Sequence, residues 1–332
     1  MLKKSEYISE GNFIKKFNRV VAPVFAIPLM LVGCQQGDGN ERAENPIKKD
    51  TDKIQIVTTF YPMYEFTKNI VGDLAEVELL IPSSIEPHDW EPSPKDVGNI
   101  QNADLFVYDS EYMETWVPDI EESLDSKKST FVKASEGITL MEGEEHEHAE
   151  EEEQAHSHEK DPHVWLSPAL AQKEVENIKD ALIKVDPNHK EEYEKNSVAY
   201  IEELKDLDKE FSSTLADVTS KEIITQHAAF GYLANEYGLK QVAIAGLSPE
   251  NEPSPAKLAE LKKFALDHNI KTIFFEEVAS QKVAKTLADE IGAETQVLNT
   301  LEGLSEENQK KGANYIQVMQ DNLDKLKGAL SK

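Results

Sequence analysis

Residues 186–218 read DPNHKEEYEKNSVAYIEELKDLDKEFSSTLADV, and this stretch decides how the rest of the chain is organised. Its apolar side chains recur every three or four positions, which predicts one long amphipathic helix from His189 to Val218. About thirty helical residues would span about 45 Å, longer than most helices of globular proteins. A coiled coil would need a heptad pattern that continues beyond this stretch, and it does not. The pattern therefore favours a rod that joins two lobes.

Short strand-like runs alternate with helical runs on both sides of this helix. The series starts at Ile54–Thr58, includes a helix predicted over Glu111–Leu124, and resumes after the rod at Glu222–Thr225. One final helix is predicted from about Ser305 to Leu330. Such alternation is typical of α/β folds with parallel sheets, so we expect two α/β halves. Ligands of such sheets bind at the carboxyl ends of the strands, which makes a cleft between the halves the expected site.

The composition excludes several classes of protein. The 332 residues carry 35 Lys and Arg against 63 Asp and Glu, a net charge of −28 at pH 7. We therefore expect no nucleic-acid partner, because phosphate binding needs a concentrated basic face. The single Cys excludes an intramolecular disulfide and any Cys-based zinc or iron–sulfur cluster. A metal ion would have to be held by histidines and carboxylates.

The amino terminus has the pattern of a lipoprotein signal peptide. A basic segment precedes fourteen uncharged residues, Val20–Gly33. At 1.5 Å per residue this run spans about 21 Å, too short for a hydrocarbon core about 30 Å thick. Leu31–Cys34 resembles the lipobox of bacterial lipoproteins, so we interpret residues 1–33 as the signal peptide and Cys34 as the lipid anchor. The polar residues 34–52 then form a flexible tether to a body outside the cytoplasmic membrane.

Residues 142–161 form an acidic low-complexity segment with no hydrophobic residue larger than Ala. Such a segment cannot bury an apolar face, which predicts a surface loop. It contains four histidines, arranged as two His-x-His pairs: His146, His148, His156 and His158. The segment is either a solvated loop without a specific role or an auxiliary loop that captures metal ions weakly.

Three other histidines lie where loops leave predicted strands or enter predicted helices: His88, His163 and His227. Their surroundings read PHDWEPSP at residues 87–94, DPHVWLSP at 161–168 and HAAFGYLA at 227–234. A single histidine of this kind is as often structural as functional. Three of them at the ends of alternating α/β units favour a shared role, because neutral imidazoles are good zinc ligands.

A carboxylate could complete a tetrahedron around such an ion. The predicted strand Thr272–Phe275 is followed by Glu276 and Glu277, which offer one. Adjacent glutamates after a strand also suit a solvated helix start, because the helix dipole favours negative charge there. The residues alone leave both interpretations open.

Taken in order along the chain, these motifs and the run FEE at 275–277 resemble the zinc-binding solute receptors of bacterial ABC metal importers (ZnuA/AdcA-like, cluster A-I substrate-binding proteins). The resemblance covers about residues 54–330. It implies two (β/α)4-like lobes with parallel sheets, joined by one long rigid helix, with one metal ion in the cleft between them. We place the amino-terminal lobe at 53–187, the linking helix at 188–218 and the carboxyl-terminal lobe at 219–332.

The resemblance carries His88, His163 and His227 over as metal ligands. It assigns the fourth ligand to Glu276, with Glu277 or water as alternatives. Family members that resemble manganese receptors have a Glu where His227 stands, and ligand softness also favours zinc for three imidazoles with one carboxylate. Zinc members often carry a His-rich loop, which favours an auxiliary metal-capturing role for the acidic segment.

The sequence therefore predicts a lipid-anchored zinc receptor rather than an enzyme. We expect a monomer on the outer face of the cytoplasmic membrane that passes Zn²⁺ to an ABC permease and its ATPase. A manganese receptor of the same family is the alternative, and a zinc hydrolase is the rival from another class. Against the hydrolase, the sequence has no His-Glu-x-x-His motif and no Gly-x-Ser-x-Gly elbow.

Overall fold

The computed structural model describes residues 53–124, 128–143, 160–250, 253–277 and 280–331. The predicted signal peptide, tether and lipid anchor lie outside these residues, and so do the four histidines of the acidic segment. Within the described ranges, we find no helix with the length and hydropathy that a membrane span requires.

Two sheets of four parallel strands form the two halves, which confirms the predicted α/β class. The first sheet contains β1 (Gln55–Thr58), β2 (Glu76–Leu79), β3 (Leu105–Tyr108) and β4 (Thr130–Lys133). The second contains β5 (Glu222–Thr225), β6 (Lys240–Ala243), β7 (Thr272–Phe275) and β8 (Glu294–Val297). Their orders are β2-β1-β3-β4 and β6-β5-β7-β8. Both halves thus have the same topology, and in each the strand order reverses next to the first strand, where α/β sheets bind ligands.

Helices connect and cover these strands. Those before the rod are α1 (Tyr61–Val71), α2 (Pro94–Asn102), α3 (Val117–Ser123) and α4 (Pro168–Val185). The rod is α5 (Lys190–Ala216), and α6 (Gly231–Glu236), α7 (Pro255–Asp267), α8 (Lys282–Ile291), α9 (Glu306–Lys311) and α10 (Tyr315–Leu330) follow it. At the start of α4 the Ser167 side chain accepts a hydrogen bond from the Leu170 amide, as expected of an N-cap.

Helix α5 contacts α1 and α4 of the first half and α10 of the second. Its buried residues Tyr200, Leu204 and Phe211 belong to one hydrophobic cluster that also contains Ile56 of β1 and Ile223 of β5. The rod therefore joins the cores of the two halves instead of spanning solvent between them. It is slightly shorter than predicted at both ends: a 3₁₀ turn occupies Pro187–His189, and the helix ends at Ala216 instead of Val218.

Helix α10 also joins the two halves, which the sequence analysis did not anticipate. Tyr315 packs its ring against Phe66 of α1, with 5.1 Å between the ring centroids. Its hydroxyl donates a hydrogen bond of 2.6 Å to the carbonyl oxygen of Trp165. Because α5 and α10 both cross between the halves, the orientation of one half relative to the other is fixed at two places.

Two predicted helices differ from the observed ones. The helix predicted over Glu111–Leu124 begins only at Val117, since Pro118 fits the first turn of a helix but not its interior. The helix predicted from Ser305 to Leu330 is two helices, α9 and α10. Gly312 ends α9 in the left-handed conformation, with φ of 66°, and Asn314 begins α10 with a capping box.

Candidate metal centre

The three motif histidines meet in the cleft between the two halves. His88 lies in the loop after β2, His163 immediately precedes a 3₁₀ turn over Val164–Leu166, and His227 follows β5. The His163 Nε2 atom lies 3.2 Å from Nε2 of His88 and 3.3 Å from Nε2 of His227. The ends of strands from both halves and the start of a helix thus bring together histidines that are up to 139 positions apart in the chain, from 88 to 227.

The carboxylate that faces these nitrogens belongs to Glu302, in the loop after β8. Its Oε1 atom lies 3.3 Å from Nε2 of His88, 3.3 Å from Nε2 of His163 and 3.4 Å from Nε2 of His227. Glu302 was not among the predicted ligands, although it follows a strand of the second sheet as Glu276 does. Its position after the last strand of the second sheet could have pointed to it, because ligands of parallel α/β sheets bind at the carboxyl ends of the strands.

Glu276, expected to supply the carboxylate, does not face the three Nε2 atoms. Its Oε1 lies 2.7 Å from Nδ1 of His227, on the opposite side of the ring, and accepts a hydrogen bond from the His227 amide. Glu277 accepts hydrogen bonds from the side chains of Asn299 and Asn308. The structure therefore places Glu302 where Glu276 was expected and places Glu276 behind a histidine.

The spacing of the four donor atoms matches a tetrahedral ion site. Zinc bonds to imidazole nitrogen and carboxylate oxygen are about 2.0–2.2 Å long, so the ligand atoms of a regular tetrahedron lie about 3.3–3.6 Å apart. Five of the six separations between these atoms are 3.2–3.4 Å, and all four atoms, including the remaining His88–His227 pair, lie within 4.8 Å of one another. The four residues form the single group of three or more potential metal ligands found among the described residues.

Carboxylates orient two of the three imidazoles. Asp161 Oδ1 lies 2.8 Å from Nδ1 of His163, and Glu276 Oε1 lies 2.7 Å from Nδ1 of His227. A proton on each Nδ1 leaves the Nε2 lone pair free, and that atom is the one that faces Glu302. Asp161 therefore has the role toward His163 that Glu276 has toward His227.

Burial makes the charges of this group strong. The side chains of His163, His227 and Glu302 are fully buried, and that of His88 is 9% exposed. Burial opposes ionisation of Glu302, but the attraction of His227 and the contacts of the three imidazoles hold its pKa well below the usual range. The carboxylate therefore stays charged. Burial opposes protonation of His227, but Glu276 and Glu302 hold the pKa of His227 well above its usual range, so without an ion this imidazolium is the positive partner of Glu302, and a divalent cation would take its place.

The two remaining histidines of the body lie away from this group. His189 Nδ1 is 2.6 Å from Oδ2 of Asp186, and His268 Nδ1 is 2.5 Å from Oε2 of Glu222. Both side chains are about two-fifths exposed, at 38% and 39%. Both therefore lie at the surface of the body.

Close packing fixes the Glu302 loop against the opposite half. A Cβ atom on Gly303 would lie 2.1 Å from the carbonyl oxygen of Ser83, which belongs to the loop that carries His88. No side chain fits in that gap. The backbones of the two ligand-bearing loops therefore touch directly beside the cluster.

Comparison with known proteins gives one consistent result. A family model described as "Zinc-uptake complex component A periplasmic" (ZnuA) matches residues 56–329. The chain is 62% identical over 313 residues to the high-affinity zinc uptake system protein ZnuA of Bacillus subtilis, covering 94% of this chain and 96% of that protein. It is 50% identical over 319 residues to the zinc-binding lipoprotein AdcA of Streptococcus pneumoniae, covering 95% of this chain but 61% of AdcA.

Solved structures agree with the sequence relatives. The metal-dependent lipoprotein YcdH of Bacillus subtilis superposes with a TM-score of 0.73 at 61% identity, covering 84% of this chain and 100% of that one. The Zn(II)-bound ZnuA-like domain of Streptococcus pneumoniae AdcA gives a TM-score of 0.73 at 51% identity, with the same coverage of 84% and 100%. Together with the family match over nearly all of the described body, these similarities establish that the chain belongs to the ZnuA family.

Proposed function

We propose that this chain is an extracytoplasmic receptor that binds Zn²⁺ with high affinity and delivers it to an ABC-type import permease and its ATPase. The spacing of the four donor atoms, 3.2–3.4 Å over the measured pairs, carries the proposal, because it fits a zinc-centred tetrahedron. Membership of a family whose relatives are named for zinc uptake and zinc binding supports the same cargo.

In this proposal Zn²⁺ is held by Nε2 of His88, His163 and His227 and by Oε1 of Glu302. Four protein ligands fill a tetrahedral shell and leave no position for a substrate or an activated water. A zinc hydrolase would need such an open position, so the donor set favours binding over catalysis. Glu276 then acts on the ion through His227, as an outer carboxylate that orients the ring and increases its basicity.

The donor set also favours zinc over manganese. Three imidazole nitrogens and one carboxylate oxygen suit zinc, whereas Mn²⁺ prefers carboxylate, carbonyl and water oxygens in a six-coordinate shell. His227 is the residue that distinguishes the two metals, because a carboxylate at this position would give a ligand set of two nitrogens and two oxygens. We infer that manganese is not the physiological cargo.

Release of the ion requires local movement in this proposal. His88 is the one ligand with an exposed edge, and its loop between β2 and α2 contains no regular secondary structure. The crossings by α5 and α10 oppose a wide hinge motion between the halves. We therefore expect the permease to withdraw His88 rather than to separate the lobes; small-angle scattering that showed a large domain closure on zinc binding would contradict this.

We propose further that Cys34 is the lipid anchor and that the acidic segment is an auxiliary zinc-capturing loop. Both rest on sequence: the lipobox-like run that ends at Cys34 and the His-x-His pairs of residues 142–161. Deletion of residues 142–158 distinguishes a zinc receptor with an auxiliary loop from a metal-storage protein that binds zinc through this loop alone. One tight zinc site retained after the deletion supports the receptor, and loss of all tight binding supports storage.

Calorimetry and metal analysis on the soluble form that starts at Gln35 test the central proposal. We expect one tightly bound zinc per chain. Replacing His227 by Ala should lower the zinc affinity on the order of 1,000-fold, or about 4 kcal/mol, because a buried ligand is lost. Replacing His268 by Ala, a histidine paired with Glu222 outside the site, provides the matched control and should leave the affinity unchanged. Unchanged affinity in the His227→Ala variant would show that the site assignment is wrong.

A further inference from the structure

The two carboxylate oxygens of Glu302 have different partners. Oε1 faces the three imidazoles at 3.3–3.4 Å, and no hydrogen-bond donor satisfies it. Oε2 accepts a hydrogen bond of 2.9 Å from the hydroxyl of Thr300, in a fully buried position. One oxygen is thus directed at the proposed ion, while the other is held by a neighbouring side chain.

Thr300 is itself fixed on several sides. Its carbonyl oxygen accepts a hydrogen bond of 2.8 Å from the indole nitrogen of Trp165. The next residue, Leu301, has a φ of 58°, and the Asn299 side chain holds its amide at 2.7 Å. Asn322 of α10 binds the Asn299 amide at 2.8 Å and donates to its carbonyl oxygen at 2.7 Å. A strained backbone that is fixed by this many contacts, together with a β-branched side chain, leaves the hydroxyl little freedom to turn away.

We propose that Thr300 determines metal specificity, because its hydrogen bond reserves Oε2 and makes Glu302 bind the ion through Oε1 alone. This inference rests on the proposed zinc-binding function and deepens it. With one oxygen withheld, the site offers three nitrogens and one oxygen, the four-coordinate set that zinc accepts. A carboxylate that was free to bind through both oxygens would offer a fifth donor and suit ions that prefer more oxygen ligands, such as Mn²⁺.

The hydrogen bond is strong enough to matter. For Oε2 to reach an ion held by the three imidazoles, the carboxylate has to rotate and leave the Thr300 hydroxyl without a partner in a site that excludes water. Leaving a buried hydroxyl without a hydrogen bond costs free energy. The loss of one such hydrogen bond corresponds to about a tenfold change in the affinity of one ion relative to another. Thr300 acts through Glu302 and does not itself contact the ion, so it is a positioning residue.

The test compares Thr300→Val with Thr300→Ser in the full chain. Valine keeps the shape and removes the hydroxyl, whereas serine retains it and serves as the rescue variant. Zinc and manganese affinities are measured by competition with chelators of known affinity, and the coordination number is read from the visible absorption of the Co²⁺ form. We expect Thr300→Val to narrow the zinc-to-manganese affinity ratio at least tenfold and to weaken the intense bands of four-coordinate Co²⁺. Thr300→Ser should restore both.

Two results would overturn the inference. One is an unchanged zinc-to-manganese ratio in Thr300→Val, including a loss of affinity that is equal for both ions, since Thr300 would then be structural only. The other is X-ray absorption of the zinc-loaded wild type that shows two carboxylate oxygens bound to the ion; this needs no variant and remains decisive if Thr300→Val does not fold. Failure of the proposed function is separate, because it would appear as a wild type without a tight zinc site.

Discussion

One added methyl group at Gly303 should move the Glu302 carboxylate away from the three histidines. In Gly303→Ala the new Cβ would lie 2.1 Å from the Ser83 carbonyl oxygen and 2.8 Å from its carbon. Ordinary contact begins at 3.4 Å, so the two backbones have to separate by 3.4 − 2.1 = 1.3 Å at this point. Both contacts are backbone atoms, so rotation of a flexible side chain cannot relieve the overlap.

That displacement is large compared with a metal bond. Glu302 is the neighbouring residue, and a zinc–oxygen bond is about 2.0–2.2 Å long, so even a part of this 1.3 Å separation moves Oε1 by a large fraction of the bond length. Because Ser83 belongs to the His88 loop, the same clash also disturbs a second ligand. We expect the zinc affinity to fall on the order of 100-fold to 1,000-fold, about 3–4 kcal/mol. The overpacking itself should destabilise the fold by about 1–3 kcal/mol.

A competition titration with a chromophoric zinc chelator measures this effect, and circular dichroism shows whether the variant is folded. Gly98→Ala is the matched control, because a Cβ on that α2 residue has no heavy atom within 4 Å. Its zinc affinity should equal that of the wild type. A folded Gly303→Ala protein that binds zinc as tightly as the wild type would refute the argument that close approach of the two loops sets the position of the carboxylate.

Three further predictions concern individual carboxyl groups. Glu302→Gln should lower the zinc affinity far more than Glu276→Gln. For Glu276→Gln we expect a loss of about 10–100-fold, which is typical of an outer partner of a histidine ligand. Calorimetry on both variants checks this order, and the reverse order would show that Glu276 is the ligand. Burial raises the pKa of Glu174 to about 8, so the folded state keeps a proton that the unfolded chain releases above about pH 4.5. Glu174→Gln should therefore gain stability relative to the wild type by up to about 1.4 kcal/mol per pH unit between those values, measured by denaturant unfolding at a series of pH values; a difference that does not change with pH would contradict this. Asp109→Asn should show the same trend, because burial and the neighbouring Glu174 raise the Asp109 pKa well above its usual range; a pH-independent difference would exclude a proton in this buried pair.

Much of the fold follows from local sequence patterns. The alternation of strands and helices predicts both parallel sheets, and the three-to-four spacing predicts α5 within a few residues of its observed bounds. The motifs around His88, His163 and His227 predict which histidines belong together, because each lies at the end of a strand or the start of a helix. The prediction was wrong where one residue interrupts a pattern. Gly312 divides the last helix, and its effect depends on a backbone conformation that periodicity does not reveal.

The choice of carboxylate could not be made in this way. Glu276 and Glu302 both follow strands of the second sheet, and both lie close to His227, one at Nδ1 and the other at Nε2. Which one faces the other two histidines depends on the path of the loop after β8. Contacts with Trp165 and Ser83, distant in sequence, fix that path, so no local pattern encodes it.

By itself, the sequence determined two parallel α/β halves, the long helix between them, three clustered histidines and a zinc-receptor family. Only the tertiary structure decided that Glu302 faces the histidines, that Glu276 supports one of them and that Thr300 holds one carboxylate oxygen. The physical reason is that hydrophobic periodicity and turn residues act over a few neighbouring positions. The direction of a buried side chain depends instead on packing between segments far apart in the chain.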